Sequence, residues 1–105
     1  MRGDIYRLRA PRDAQGHEQK GQRYAIVLQS DDLMLSTLLI APTSTKARPA
    51  IFRPEIEISG TLTRILVEQT TVVDGEKRLG EFAGRLTTEE LSRLNDALLI
   101  VMGLD

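Results

Sequence analysis

Two apolar runs of strand length constrain the fold of this chain more than any other feature. Residues 24–29 read YAIVLQ and residues 35–41 read LSTLLIA, and Pro42 follows the second run directly. Continuous apolar runs of this length are typical of strands that are buried on both faces. We therefore predict two central strands, with Pro42 ending the second one because proline cannot donate to a sheet.

Shorter strands are predicted around this pair. Residues 5–8 form a β-prone stretch after Gly3, and residues 55–58 alternate Glu with Ile, as a half-exposed strand does. Residues 64–73 (RILVEQTTVV) predict one longer strand or two in succession, and Asp74 with Gly75 predicts a turn.

One helix is predicted, beginning at Thr87. Thr87 and Glu90 have the spacing of a capping box, and Gly103 is a typical helix stop. Four apolar residues follow the cap at helical spacing: Leu91, Leu94, Leu98 and Val101. The helix end is apolar all round, so the sheet or a second subunit must cover it. Short strands followed by one helix predict a mostly β (α+β) fold, a small antiparallel barrel with a packed helix.

Composition excludes several classes of protein. A chain of 105 residues suits a single domain over 1–105. It has no cysteine and one histidine, which excludes a disulfide framework and argues against a thiolate or histidine metal site. No apolar run approaches the roughly 18 residues that span a bilayer. The first ten residues lack the apolar segment of a signal peptide. We expect a cytoplasmic protein without metal or cofactor.

The charge is unevenly distributed. The net charge is −1, but the residues up to Pro54 include nine Lys and Arg against five Asp and Glu. A basic face on a near-neutral protein is therefore compatible with the composition. Two polar loops, at 9–22 and 43–50, are rich in donors and hydroxyls of the kind that contact phosphate. The alternative is a solvated surface without a ligand.

The acid in the run ILVEQ needs a partner. A carboxylate within an apolar strand is costly unless it is paired. On a strand, Glu68 lies on the same face as Arg64 and Leu66 but too far from Arg64 to pair with it. We therefore expect Glu68 to take a basic partner from a loop, in a structural hydrogen bond or in a catalytic role.

Five motifs together resemble the MazF/PemK family. They are RGDIY at 2–6, HEQKGQRYAIVLQSDD at 17–32, LIAPTSTKA at 39–47, ILVEQTTVVD at 65–74 and LLIVMGL at 98–104. Each is weak alone, but their order and spacing match the family over essentially the whole chain. The resemblance implies an SH3-like barrel with a C-terminal helix, built into a homodimer.

The resemblance also implies a function. It implies the toxin of a type II toxin–antitoxin pair, inhibited by a cognate antitoxin. Such toxins are metal-independent, sequence-specific endoribonucleases of single-stranded RNA, and mRNA is the expected substrate. Two alternatives remain open: a ribonuclease directed at tRNA or rRNA, and a non-enzymatic toxin that binds a protein such as DNA gyrase through the helix end.

Carried over by position, the family's catalytic arginine corresponds to Arg23. Its catalytic threonine corresponds to Ser44, and Thr43 or Thr45 takes that place if the loop register shifts by one. The family's acid in the first loop corresponds to Glu18, and a strand acid that some relatives use corresponds to Glu68. We consider both for proton transfer in preference to the arginine, which is a poor base. His17 is added because its ordinary pKa, about 6.5, suits acid–base catalysis.

Substrate contacts are expected from charged, polar and aromatic residues in and beside the loops. The expected set is Lys20, Tyr24, Thr43, Thr45, Lys46, Arg48, Arg64 and Gln69, with Phe52 as a second candidate for base stacking.

The chain also departs from the family pattern. Leu66 and Thr71 stand where relatives carry arginines, and Arg64 is a candidate to compensate.

Overall fold

The computed structural model describes residues 1–10 and 23–105. Most of the described residues form short strands. In chain order the elements are β1 (Asp4–Leu8), β2 (Tyr24–Val27), β3 (Thr37–Ser44), β4 (Glu55–Ile58), β5 (Thr61–Ile65), a 3-10 turn (Val67–Gln69), β6 (Thr71–Asp74), α1 (Gly75–Arg78), β7 (Leu79–Arg85) and α2 (Thr88–Met102).

The strands form one curved antiparallel sheet. Its order is β4-β5-β3-β2-β1-β7, and β6 also pairs with β3. Strand β3 is thus paired with three others: with β2 along one side, and with β6 and then β5 along the other. This half-barrel with a C-terminal helix confirms the predicted fold class. No helix among the described residues is long and apolar enough to cross a bilayer.

The prediction that Pro42 ends the second central strand is wrong, because β3 runs through it. Pro42 lies opposite Ala25 of β2, and its carbonyl accepts a hydrogen bond from the Leu66 amide at 2.8 Å. The N–H and C=O of a strand residue point to the same side. The missing N–H therefore points away from β2, into the gap where pairing with β6 has ended and pairing with β5 begins. Proline costs no ladder hydrogen bond there.

The segment 64–73 forms two strands, and a 3-10 turn separates them. Val67 fills the core at 0% exposure, whereas Glu68 and Gln69 lie at the surface. The expectation that Leu66 and Glu68 share a strand face is wrong, since the backbone is helical at 67–69. The predicted turn at Asp74 begins α1, and the Asp74 carboxylate caps it by accepting from two backbone amides.

Strand β7 was not predicted. Its sequence, LGEFAGR, contains two glycines and lacks the alternation of polar and apolar residues that marks a half-buried strand. It forms because β1 offers it a partner, with Asp4 opposite Arg85 and Tyr6 opposite Phe82.

Helix α2 begins and ends as predicted. The Thr87 hydroxyl accepts from the Glu90 amide, the Glu90 carboxylate accepts from the Thr87 amide, and Gly103 ends the helix with φ of 70°. Leu94 and Ala97 are buried in the main core between the helix and the curved sheet. The sheet covers part of the helix end and leaves Leu99 and Met102 exposed.

The prediction of two strands buried on both faces holds for β2 and for the second half of β3, and it is wrong for residues 35–39, where Leu35 and Leu39 are exposed at 61% and 40%. On the face toward α2, Ile26 and Ala41 belong to the main core. On the opposite face, Ala25 and Ile40 form a second apolar cluster with Val73. A half-barrel that is packed on both sides holds the ends of β2 and β3 in fixed positions.

A buried carboxylate joins β1 to β7. Asp4 is 3% exposed, and its two oxygens accept from Arg85 Nε at 2.8 Å and from the Met1 ammonium at 3.0 Å. Burial alone would raise the pKa of Asp4. The hydrogen bonds and charges of the two cationic donors outweigh it, so that the pKa lies below its ordinary value.

We expect Leu94→Ala to lower the free energy of unfolding by about 2–5 kcal/mol, because it leaves a cavity under a fully buried helix residue. Leu99→Ala, on the exposed side of the same helix, should cost less than about 1 kcal/mol. Urea unfolding of both variants measures this. Equal losses would show that α2 does not pack as described.

We expect Asp4→Asn to destabilise the protein by about 1–3 kcal/mol at neutral pH. Because folding lowers the pKa of Asp4, its contribution is present above the ordinary value of 3.8 and is lost as the pH falls through the folded pKa. The difference from wild type should therefore shrink in acid. Urea unfolding at several pH values tests this, with the exposed Asp96→Asn as the control. A difference independent of pH would contradict it.

Candidate active site

One end of the sheet brings together Ser44 on β3, Arg64 on β5 and Arg23, the residue directly before β2. The register of β2 and β3 pairs Ala25 with Pro42, and continuing it by two residues, to the position directly before β2, sets Arg23 opposite Ser44. Ser44 is paired directly with Arg64 of β5. Residues that lie opposite each other project to the same face of a sheet, on strands about 4.8 Å apart. We call these three residues the arginine–serine row.

The row lies on the face that points away from α2. Side chains two residues apart on a strand share a face. Arg23 therefore projects with Ala25, and Ser44 projects with Ile40, and both of these apolar residues belong to the second cluster. Arg23 and Ser44 are half-buried. The row thus continues the second cluster at the ends of two strands, where a ligand can reach it.

The Ser44 hydroxyl remains able to donate. Its oxygen accepts from the Lys46 amide at 3.1 Å, which turns the chain where β3 ends. A hydroxyl has one donor hydrogen and two acceptor lone pairs, so this contact leaves the O–H available. Beside a guanidinium, such a donor suits an anionic ligand.

The Thr43 hydroxyl is used by the backbone. It accepts from the Tyr24 amide at 3.3 Å and donates to the Tyr24 carbonyl at 3.2 Å, and Thr43 is 2% exposed. Thr45 lies beyond the end of β3 and is exposed. Of the three hydroxyls that sequence reasoning left open, Ser44 is the one in the row.

Arg64 is held by an acid on the next strand. Its Nη2 lies 3.0 Å from Glu55 Oε2, and β5 pairs Arg64 with Glu55. Leu66 is 4% exposed and therefore lies buried, outside the row. Arg64 therefore brings a second guanidinium to the row, with part of its charge balanced by Glu55.

Glu68 takes a basic partner from a loop, as predicted, and the partner is Arg53. Arg53 donates from Nε at 2.9 Å and from Nη2 at 2.6 Å, both to Glu68 Oε2. These hydrogen bonds hold the pKa of Glu68 below its ordinary value. The carboxylate is therefore a weak base. Sequence reasoning missed Arg53 because it lies fifteen residues from Glu68, with no spacing that relates them.

The Tyr24 ring is partly buried. It packs against the main core, and the Arg7 guanidinium carbon lies 5.9 Å from the ring centroid. Phe52 is half-buried beside Arg53, whose guanidinium carbon lies 5.5 Å from that ring centroid.

The other candidates lie either at the surface or outside the described residues. Lys46, Arg48 and Gln69 are exposed. His17, Glu18 and Lys20 fall in 11–22, outside the described residues. Among 1–10 and 23–105, no three His, Cys, Asp or Glu residues form a group that could hold a metal ion.

We expect Thr43→Val to destabilise the protein by about 1–3 kcal/mol, because it leaves the Tyr24 amide and carbonyl without their hydrogen-bond partner. Thr45→Val, the same change at an exposed neighbour, should stay within about 0.5 kcal/mol of wild type. Thermal and urea unfolding measure both. If the free energy of unfolding of Thr43→Val equals that of wild type, the structural role of this hydroxyl is contradicted.

Comparison with known proteins relates the whole chain to one family. A family model described as PemK-like, MazF-like toxin of type II toxin-antitoxin system matches residues 1–102. A candidate toxin of Mycobacterium tuberculosis is 36% identical over 104 residues, which cover 99% of this chain and 98% of the relative.

Solved structures share the fold. A mycobacterial endoribonuclease in complex with its cognate antitoxin has a TM-score of 0.79 and 16% identity, covering 100% of this chain and 96% of that one. The Mycobacterium tuberculosis toxin MazF-mt6 has 0.77 and 16%, covering 97% and 98%. MazF from Deinococcus radiodurans has 0.73 and 21%, covering 96% and 94%. The chain therefore belongs to the PemK-like, MazF-like family of type II toxin–antitoxin toxins.

Proposed function

We propose that this toxin is an endoribonuclease that cleaves single-stranded RNA at the arginine–serine row. The observation that carries the proposal is the placement of a guanidinium directly before β2, beside the end of β3, where Ser44 offers a hydroxyl hydrogen that no described residue accepts. Backbone contacts fix both residues, since Ser44 pairs with β5 and the Arg23 carbonyl accepts from the Leu8 amide at 2.9 Å. A structural relative of the chain is an endoribonuclease, which supports the same chemistry on this fold.

The reaction needs no external nucleophile, because RNA carries its own. The 2′-oxygen attacks the adjacent phosphorus while the bond from phosphorus to the 5′-oxygen breaks. One proton leaves the 2′-hydroxyl and another reaches the departing 5′-oxygen. The products are a 2′,3′-cyclic phosphate and a 5′-hydroxyl. The enzyme must stabilise the dianionic phosphorane between these states and manage the two protons.

Arg23 and Ser44 are suited to the phosphorane. A planar guanidinium binds two phosphoryl oxygens at once. The Ser44 hydroxyl adds a neutral donor to the same oxygens. Donors held in place before the reaction contribute about 3–4 kcal/mol each to the stability of a transition state.

Proton transfer is assigned to the segment that precedes β2. A guanidinium is a poor base because it does not give up its proton in proteins. Glu68 is occupied by Arg53, and its pKa is lowered. Glu18 and His17 are therefore the groups we propose for the two proton transfers. The flanking phosphates of an mRNA would lie along Lys20, Arg64, Lys46 and Arg48, while the exposed Thr45 and Gln69 offer polar contacts to bases.

We propose that the toxin acts as a homodimer. The chain after β2 exposes three consecutive apolar side chains, Leu33 at 55%, Met34 at 95% and Leu35 at 61%. The nearby Gln29 is 5% exposed, and its Nε2 has no hydrogen-bond partner among the described residues. A second copy that covers this region would bury the apolar side chains.

A cognate antitoxin is proposed as the inhibitor, since a structural relative was solved with one.

The proposed activity is tested on a long RNA incubated with the purified toxin in EDTA. We expect discrete fragments with 5′-hydroxyl ends. A full-length RNA at the end of the incubation would contradict the proposal. It would favour the alternative of a toxin that binds a protein such as DNA gyrase through the exposed side of the helix end.

We expect Arg23→Ala to lower kcat by about 10²–10³, the effect of removing one transition-state donor. Ser44→Ala should also lower kcat, whereas Thr45→Ala should raise KM. Arg2→Ala is the control for lost charge, because Arg2 contacts Leu28 and Asn95 near the other end of β2. Initial rates on a short RNA measure all four variants. Unchanged kcat in Arg23→Ala would refute the assignment.

A further inference from the structure

We propose that Arg53 is a positioning residue: its ion pair with Glu68 clamps the loop between β3 and β4, residues 45–54, and so sets which nucleotides beside the scissile phosphate are accepted. The inference rests on the proposed ribonuclease activity for its substrate. It assigns roles to Arg53, which the family motifs do not mark, and to Glu68, which it removes from proton transfer.

The acidic half of the clamp stands on a fixed support. Val67, next to Glu68, is fully buried in the main core. Its carbonyl accepts from both the Thr70 hydroxyl at 2.7 Å and the Thr70 amide at 3.2 Å. The 3-10 turn is therefore anchored by a buried side chain and by its own backbone. Glu68 projects from this anchor toward the loop.

The basic half connects that support to the middle of the loop. Besides its two hydrogen bonds to Glu68, the Arg53 guanidinium donates from Nη1 to the Arg48 carbonyl at 3.1 Å. The Arg53 amide donates to the Ala50 carbonyl at 3.0 Å. One side chain thus connects the turn, the middle of the loop and the start of β4.

Among the described residues, the remaining hydrogen bonds of the loop lie near its two ends, such as the one from the Ile65 amide to the Pro54 carbonyl at 3.0 Å. Thr45, Lys46, Arg48 and Ile51 are exposed, and Ile51 reaches 81%. A segment that buries few apolar side chains gains little free energy to offset the entropy of ordering its backbone. The ion pair and the hydrogen bond to the Arg48 carbonyl therefore hold the middle of the loop, which no other hydrogen bond among the described residues connects to the sheet.

The clamped loop begins and ends at the proposed active site. It leaves β3 after Ser44, a member of the arginine–serine row, and it enters β4 at Glu55, which is paired with Arg64. Bases of single-stranded RNA are read by side chains and backbone groups held in a defined geometry. Releasing the loop should therefore affect RNA selection more than the chemical step, because Ser44 stays on β3 and Arg23, directly before β2, lies outside the loop.

The test compares Arg53→Ala, Arg53→Lys, Glu68→Gln and the double variant Arg53→Ala with Glu68→Gln. Cleavage sites on one long transcript, and kcat and KM on the preferred short RNA, are measured. We expect Arg53→Ala and Glu68→Gln each to raise KM about tenfold, to add cleavage sites, and to change kcat less than about threefold. Arg53→Lys keeps the charge and should fall between Arg53→Ala and wild type.

The double variant decides whether the two residues act together. In a clamp, removing either partner removes the same contact, so the double variant should resemble each single one. Multiplied effects in the double variant would overturn the proposal. So would a Glu68→Gln variant whose kcat falls a hundredfold at constant KM, since that is the signature of proton transfer. Glu57→Gln, an exposed acid on β4, is the matched control.

Hydrogen exchange separates failure of the clamp from failure of the proposed function. In protein without RNA, backbone amides of residues 45–52 should exchange about tenfold faster in Arg53→Ala and Glu68→Gln than in wild type or Glu57→Gln. If wild type cuts no RNA, the ribonuclease proposal fails, but the hydrogen-exchange rates of the loop amides still test the clamp. If wild type cuts RNA but both exchange and cleavage sites are unchanged in Arg53→Ala, the clamp alone is refuted.

Discussion

Pairing of β3 with three other strands is the constraint on which the rest of the structure depends. Its first half pairs with β6, and its last two residues pair with β5, while β2 runs along the other side. Pro42 lies at the point where β3 changes its partner from β6 to β5, and no amide donor is needed there. Because the strand changes partners there, Ser44 lies between Arg23 and Arg64. The same change of partner lets the sheet curve around α2. The core and the candidate site therefore both depend on the pairing of β3.

The parts of the fold that were predicted from sequence are those with local signals. Residues close together in the chain are enough to recognise the capping box of Thr87 and Glu90 and the apolar runs of β2 and β3. Strand β7 and the 3-10 turn could not be predicted in this way. The glycine-containing β7 forms because β1 provides its partner, and the turn forms because Val67 fills a gap against α2 and β3. Both depend on contacts between residues that are distant in the chain.

The candidate site divides in a similar way. The family motifs single out Arg23 and Ser44 as candidates, and these roles stay predictions. Motifs do not separate Ser44 from Thr43, because adjacent hydroxyls look alike in sequence, whereas strand geometry sends them to opposite faces. The need of Glu68 for a basic partner followed from the cost of an unpaired acid. The identity of that partner depended on the path of the loop.

The attachment of the β3–β4 loop also affects how this surface can vary. Strands fix both of its ends, and one side chain fixes its middle, while most residues between these points contribute little to either apolar cluster. Their replacement alters the shape and charge presented to a ligand at small cost to folding. Residues of this loop can therefore change while the core stays the same, and new recognition properties can arise on the loop without a new core.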